Sequence, residues 1–178
     1  SADVGLRGPD REALGELLEL ESGEKVAIHT VSLGNPHCVV FDDVLDPAEL
    51  RRLAPRLATH PAFAHGTNVQ FARAAGPAAV EAWVWERGAG ETLASGSSAC
   101  AVAAVAVRQG WVSERQLEVR MPGGTLEVEV RDDWSVRLRG PVESVYFGTL
   151  TVGMLRRLDE VGRVEGEGAA GVSRSSGF

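Results

Sequence analysis

The strongest constraint on the fold is a stretch of small apolar residues that predicts one helix. From Ala99 to Val107 every side chain is Ala, Val or Cys, and Gly110 supplies a stop signal for a helix over Ser97–Gln109. A helix that is apolar on every side is buried on every side. The stretch is about a dozen residues long, short of the ~20 that a membrane span needs. We therefore expect a soluble protein with a buried helix.

Segments with alternating polarity lie on both sides of this helix and predict β-strands. They are Lys25–Leu33, Cys38–Phe41, Thr67–Ala72 and Ala79–Trp85 before it, and Gln116–Arg120, Gly124–Arg131, Ser135–Arg139 and Val145–Val152 after it. Leucine spacing predicts a short helix within Asp10–Leu20, and Asp46-Pro47 predicts the start of another that runs to about Leu57. The expected fold class is α+β, an antiparallel β-sheet rolled around the central buried helix, with an amphipathic helix on an open sheet as the alternative.

Charge and cysteine usage exclude several classes of partner. The chain has 25 acidic and 18 basic residues, a net charge of −7, and lacks the basic stripe that nucleic acid or anionic lipid would require. Its two cysteines and four histidines lack the spacing of a metal site or a disulfide framework. From the charge and the spacing we expect no binding of metal, membrane or nucleic acid. Because no secretory signal opens the sequence, we also expect a cytoplasmic protein.

The start of the buried helix is the first candidate site. It reads Ser95-Gly96-Ser97-Ser98. The first amide N–H groups of a helix lack intrahelical partners and carry partial positive charge, so they suit a carboxylate or a phosphate. Gly96 would let such a ligand approach the backbone. The alternative is an ordinary serine N-cap without a ligand.

Two further groups of residues carry polar chemistry. Glu86 and Arg87 end a predicted strand, where an arginine can hold a carboxylate and a glutamate can accept from an ammonium group. Asn35 and Asn68 follow glycine-containing loops, and His37 has a side chain that titrates near neutrality. The alternatives are a surface ion pair at the strand end and a β-turn with a partly exposed histidine.

These residues carry a resemblance to a known family. The motifs are Gly34-Asn35-Pro36-His37-Cys38-Val39, Thr67-Asn68-Val69-Gln70-Phe71 and Glu86-Arg87-Gly88-Ala89-Gly90-Glu91-Thr92-Leu93-Ala94. In order and spacing, residues 1–152 resemble the diaminopimelate epimerases, and Met121-Pro122-Gly123-Gly124 and Gly140-Pro141 are similar to that family's late strands.

The resemblance implies a protein of two similar lobes with a cofactor-independent active site between them. There a cysteine thiolate removes the Cα proton, and a second thiol delivers one from the opposite face. The implied substrates are LL- and meso-2,6-diaminopimelate, in lysine biosynthesis. The implied roles are substrate contact by Asn35, Asn68, Glu86 and Arg87, carboxylate binding by the backbone of Gly96 and Ser97, and tuning of the thiols by His37 and Glu86.

Two departures from the family pattern qualify that implication. Ser95 stands where the family has a catalytic cysteine, and a hydroxyl is a far weaker acid than a thiol. Cys100 lies more than a helical turn further on, and we expect Cys38 to pack within a strand. The family's N-terminal lobe, with its Asn-Gly-x-Arg-Cys motif, has no counterpart here. We expect residues 1–152 to be a C-terminal lobe and 153–178 a flexible tail.

The sequence thus predicts an epimerase-like isomerase lobe that binds substrate but turns it over weakly or not at all alone. Its partners would be a small amino-acid substrate and an N-terminal lobe or second chain. One alternative is a related cofactor-independent racemase or isomerase, although the phenazine-pathway isomerases lack the Glu-Arg-Gly run. Another is a non-catalytic binding or assembly module, including a homodimer, for which Trp83, Trp85 and Trp111 would form an exposed apolar wall.

Overall fold

A computed structural model describes residues 2–158, and the part up to Pro141 contains one nine-stranded sheet with two main helices. The strands run in the order β1-β2-β3-β4-β5-β7-β8-β9, and β6 pairs with β5. The elements are β1 (Leu14–Glu19), β2 (Lys25–Ser32), β3 (Pro36–Phe41), α1 (Pro47–Ala58), β4 (Asn68–Gly76), β5 (Ala79–Glu86), β6 (Gly90–Thr92), α2 (Gly96–Gln109), β7 (Gln116–Met121), β8 (Gly124–Val130) and β9 (Val136–Arg139), after a short 3₁₀ helix at Ala2–Val4.

The buried helix is α2, and the sheet surrounds it. The helix contacts β2, β3, β4 and β5, which precede it in the sequence, and β7, β8 and β9, which follow it. Residues such as Ala101, Val102 and Ala106 are completely buried, and Gly110 ends the helix in the left-handed conformation with φ 70°. The predicted α+β fold, with a sheet around a central helix, is confirmed.

The sheet is mixed, where a purely antiparallel one was predicted. The pairs β3–β4 and β5–β7 are parallel, and the other neighbours are antiparallel. Parallel neighbours need a long crossover between them, which α1 supplies for the first pair and α2 for the second. The sequence patterns located both helices. Whether two neighbouring strands are parallel depends on which strands become neighbours once the helical crossovers have formed, and the sequence patterns do not show that.

The central strands separate two hydrophobic cores. In β3, Cys38 and Val40 belong to the core that contains α1, whereas Val39 belongs to the core around α2. The same alternation in β4 places Phe71 with α1 and Ala72 with α2. Side chains of a strand point alternately to opposite faces, so these strands are buried on both sides.

The start of α1 is built as the sequence predicts. The Asp46 side chain accepts a hydrogen bond from the amide of Ala48 at 2.8 Å, and Pro47 occupies the first turn. The predicted end near Leu57 is confirmed within one residue.

The prediction of a helix within Asp10–Leu20 is wrong. Residues Leu14–Glu19 form β1, which pairs antiparallel with β2. Gly15 has φ 73°, which a right-handed helix does not accommodate, and the register shifts at that point. The leucine spacing gave only a weak helical signal, and hydrogen bonding to the edge of β2 outweighs it.

The predicted last strand, Val145–Val152, is also not formed. The described chain comprises two compact units that divide between Pro141 and Val142. Residues 142–151 have no regular secondary structure, and Val142, Tyr146 and Phe147 are at least 85 % exposed. A strand needs a hydrogen-bonding neighbour, and no described strand pairs with this segment.

Residues 152–158 are helical, and the remainder of the predicted flexible tail, 159–178, lies outside the described residues. Within residues 2–158, no helix is long and apolar enough to cross a membrane.

Candidate active site

A tight hairpin lies between the Glu-Arg motif and the segment that leads into α2. Strand β5 ends at Glu86, which pairs with Gly90 at the start of β6. Gly88 and Gly90 have φ of 86° and 82°, the left-handed conformation that such a turn requires and that glycine adopts without strain. Residues 93–95 connect β6 to α2, so only the short hairpin and these three residues separate the charged motif from the helix along the chain.

The first turn of α2 presents amide groups that its own serine does not cap. Ser95 occupies the N-cap position with an extended backbone, and its carbonyl accepts the amide of Ala99 at 2.9 Å. Its hydroxyl forms no capping hydrogen bond. The amides of Gly96, Ser97 and Ser98 therefore have no acceptor within the helix. Together with the helix dipole they favour a bound anion at this point.

A chain of three hydrogen bonds joins the Asn35 loop to this helix turn. The Oδ1 atom of Asn35 lies 3.0 Å from Nε2 of His37. The Nε2 group of Gln70 lies 3.0 Å from Nδ1 of His37 and donates to Oγ of Ser98 at 2.9 Å. His37 and Gln70 are completely buried, and Ser98 is 1 % exposed. The network is therefore shielded from water along most of its length.

A second set of contacts holds Asn68 and Arg87. Asn68 pairs with His37 in the parallel register of β3 and β4. Its Nδ2 group donates to the carbonyl of Pro36 at 3.0 Å, and its Oδ1 accepts the backbone amide of Arg87 at 2.9 Å. The guanidinium of Arg87 donates to the carbonyl of His65 at 2.7 Å, and its side chain is exposed. Both asparagines and the arginine are thus tied to one region of the sheet.

Burial sets the charge state of the histidine. Loss of hydration is the largest effect and lowers the pKa of His37 to about 4, while the negative charge of Glu86 acts in the opposite direction. The imidazole is therefore neutral at pH 7. Glu86 itself is half-buried.

Neither native cysteine is placed for proton transfer. Cys38 is completely buried in β3, and burial raises the pKa of its thiol to about 12. Cys100 is half-buried within α2, and burial also raises the pKa of its thiol. Both thiols are protonated at neutral pH.

The role of Gln70 and the positions of the tryptophans differ from what the sequence predicts. Gln70 links His37 to the helix, but a lone glutamine inside a strand carries no signal for that role. The tryptophans do not form an exposed wall. Trp83 and Trp85 pack half-buried against the α1 core, and Trp111 stacks on Phe41 with ring centroids 3.7 Å apart.

Comparison with known proteins gives consistent matches. A family model described as diaminopimelate epimerase matches residues 29–145. A protein named diaminopimelate epimerase from Desulforudis audaxviator is 46 % identical over 149 residues, which are 83 % of this chain and 52 % of the relative. One of the same name from Pelotomaculum thermopropionicum is 40 % identical over 147 residues, with the same coverage of both chains.

The chain thus spans about half the length of the curated relatives it matches. A solved structure of a hydroxyproline epimerase from Agrobacterium vitis aligns with 67 % of this chain and 41 % of its own, at a TM-score of 0.48 and 15 % identity.

Proposed function

The chain belongs to the diaminopimelate epimerase family, and we propose that it supplies the C-terminal half of the cleft in which diaminopimelate is bound for inversion at Cα. Residues 1–152 would form that lobe. The observation that carries the proposal is the hydrogen-bonded chain from Asn35 through buried His37 and Gln70 to the uncapped first turn of α2. It connects a polar loop to an uncapped helix end at which an amino-acid carboxylate would bind.

Each predicted site residue has a role in this proposal. The amides of Gly96 and Ser97 would bind the α-carboxylate, where the helix dipole favours negative charge. Arg87 would add its guanidinium to the carboxylate contacts, and the half-buried Glu86 would accept from a substrate ammonium group. Asn35 and Asn68 would complete the binding surface.

Ser95 limits the chemistry that this half can perform. In a two-base reaction one group removes the Cα proton and a second returns a proton from the opposite face. A serine hydroxyl does this only with a neighbouring base. His37 is unsuited to be that base, because both ring nitrogens are engaged and burial holds its pKa near 4. We therefore assign His37 a positioning role and expect binding to exceed turnover.

A complete cleft would need groups from the opposite side, supplied by an N-terminal lobe or a second chain. The reaction would belong to lysine and peptidoglycan-precursor synthesis in the cytoplasm. The free thiols of Cys38 and Cys100 are compatible with a reducing compartment. A binding module without turnover is the second candidate, and the engaged nitrogens of His37 favour it.

Calorimetric titration with meso-diaminopimelate tests the binding proposal. We expect saturable binding by the 178-residue chain and a loss of about tenfold or more for Arg87→Ala, because a charged hydrogen-bond partner of the carboxylate is removed. Arg108→Ala is the matched control, since Arg108 pairs with Glu12 near the opposite end of α2. Absence of saturable binding, or equal losses in the two variants, would refute the proposal.

Deuterium exchange at the substrate Cα separates binding from turnover. We expect exchange by this chain to be much slower than by a relative that carries both halves and the cysteine. Exchange as fast as in that relative would show that Ser95 is a competent proton-transfer group, contrary to our assignment.

A further inference from the structure

Gln70 is a buried amide at the boundary between the polar pair His37 and Asn68 and the apolar core around α2. It lies in β4 opposite Val39 of β3, and Val39 and the next residue on its own face, Ala72, both belong to the core around α2. Its side chain has no exposure to solvent, and its Oε1 atom has no hydrogen-bond partner among the described residues. An unpaired buried carbonyl costs about 1–3 kcal/mol, so its retention calls for an explanation.

The hydrogen bonds of Gln70 determine which nitrogen of His37 carries the proton. An amide NH₂ group has two hydrogens and no accepting lone pair. Here the two acceptors are Nδ1 of His37 and Oγ of Ser98, at 3.0 and 2.9 Å. With the Gln70 nitrogen facing it, Nδ1 acts as the acceptor, so this orientation of the amide pairs with the neutral imidazole that carries its hydrogen on Nε2. That hydrogen points to Oδ1 of Asn35, 3.0 Å away.

The tautomer of His37 in turn sets the orientation of Asn35. Because Oδ1 of Asn35 accepts from the imidazole, its NH₂ group is the end left for a ligand. Asn68 has the same polarity, since its Oδ1 accepts the amide of Arg87. Both asparagines then have N–H groups that can donate to a ligand, and the uncapped amides of α2 are donors of the same kind. A site lined by donors selects ligands rich in acceptors, such as carboxylates.

We propose that Gln70 is a positioning residue that, through the tautomer of His37, turns the Asn35 amide so that its donor end faces a bound carboxylate. The residue acts on the ligand through two others and does not contact it. This role rests on the proposed function for its ligand, whereas the tautomer itself is a property of the protein alone. The unpaired Oε1 atom is then the consequence of orienting both Gln70 hydrogens toward acceptors.

Nitrogen-15 NMR of the histidine side chains at pH 7 tests the inference directly. We expect His37 to be protonated at Nε2 only. In Gln70→Glu a carboxylate replaces the donor and must accept, so a hydrogen should appear on Nδ1 of His37. Gln116→Glu is the matched control: it makes the same change at an exposed site of β7 and should leave His37 unaltered. Protonation at Nδ1 in the parent chain, or no change in Gln70→Glu, overturns the proposal.

A second variant covers the case in which Gln70→Glu does not fold. Gln70→Met has similar length and no amide, so it should leave the His37 tautomer unspecified and give a mixture of the two forms. A single Nε2-protonated form in that variant would show that Gln70 does not set the tautomer.

Binding of meso-diaminopimelate supplies the functional arm. We expect about a tenfold weaker affinity for Gln70→Glu and no change for Gln116→Glu, since one donor to the carboxylate is turned away. Equal affinity in Gln70→Glu and the parent chain would refute the link to the ligand. If the parent chain binds no diaminopimelate, the proposed function fails, while the NMR result still decides whether Gln70 fixes His37.

Discussion

Replacing Ser95 with cysteine tests whether the start of α2 stabilises negative charge. Ser95 holds the N-cap position of a 14-residue helix, and its hydroxyl is not used for capping. A thiol at that point would lie beside the free amides of Gly96, Ser97 and Ser98. Those amides and the helix dipole should favour the thiolate over the thiol, which lowers the pKa.

The expected size of the effect follows from the geometry. Charges at helix ends gain about 0.3–1 kcal/mol, and up to ~2 kcal/mol when partly buried, as Ser95 is. Because about 1.36 kcal/mol corresponds to one pH unit, the thiol pKa should fall from about 8.5 to about 7–8. Burial without such donors has the opposite effect, as it raises the pKa of Cys100, which lies more than one turn further along the same helix.

The pH dependence of alkylation by iodoacetamide, followed for each cysteine by mass spectrometry, measures this pKa. The introduced thiol in Ser95→Cys should react first, then Cys100, with Cys38 protected by complete burial. Ser113→Cys is the matched control, an exposed serine away from any helix start. A pKa in Ser95→Cys equal to or above that in Ser113→Cys would refute the electrostatic reasoning and weaken the proposed carboxylate site.

Two further predictions concern stability. Gly66 has φ 68°, and a Cβ atom there would lie 2.7 Å from the carbonyl of Ala58, so Gly66→Ala should lower the free energy of unfolding by about 2–3 kcal/mol. Gly23→Ala, with φ 80° and open space around it, should lose only about 1 kcal/mol; equal losses in urea denaturation would contradict the steric argument. For His37, the unfolded chain takes up a proton below its ordinary pKa of about 6.5, but the folded chain does so only near pH 4. The free energy of unfolding should therefore decrease by up to about 3 kcal/mol between pH 6.5 and 4. His37→Asn should reduce this decrease, whereas His65→Asn, at an exposed site, should leave it unchanged.

The elements with strong local signals were predictable from the sequence. The run from Ala99 to Val107 left no polar face, so α2 had to be central, and Asp46-Pro47 marked the start of α1. Alternation located β7 and β8 because each has one face in the core. Leu14–Glu19 was assigned wrongly because a short leucine pattern fits either helix or strand, and its pairing with β2 decided the outcome.

The sequence alone determined that a buried helix begins with a glycine between serines, close in the chain to Glu86 and Arg87. Only the tertiary structure decided that His37 and Gln70 meet at that helix. Gln70 lies 33 residues after His37, and the contact arises from the parallel register of β3 and β4 once α1 has crossed over. Register and hydrogen-bond polarity depend on which strands become neighbours, and no local pattern of residues encodes that choice.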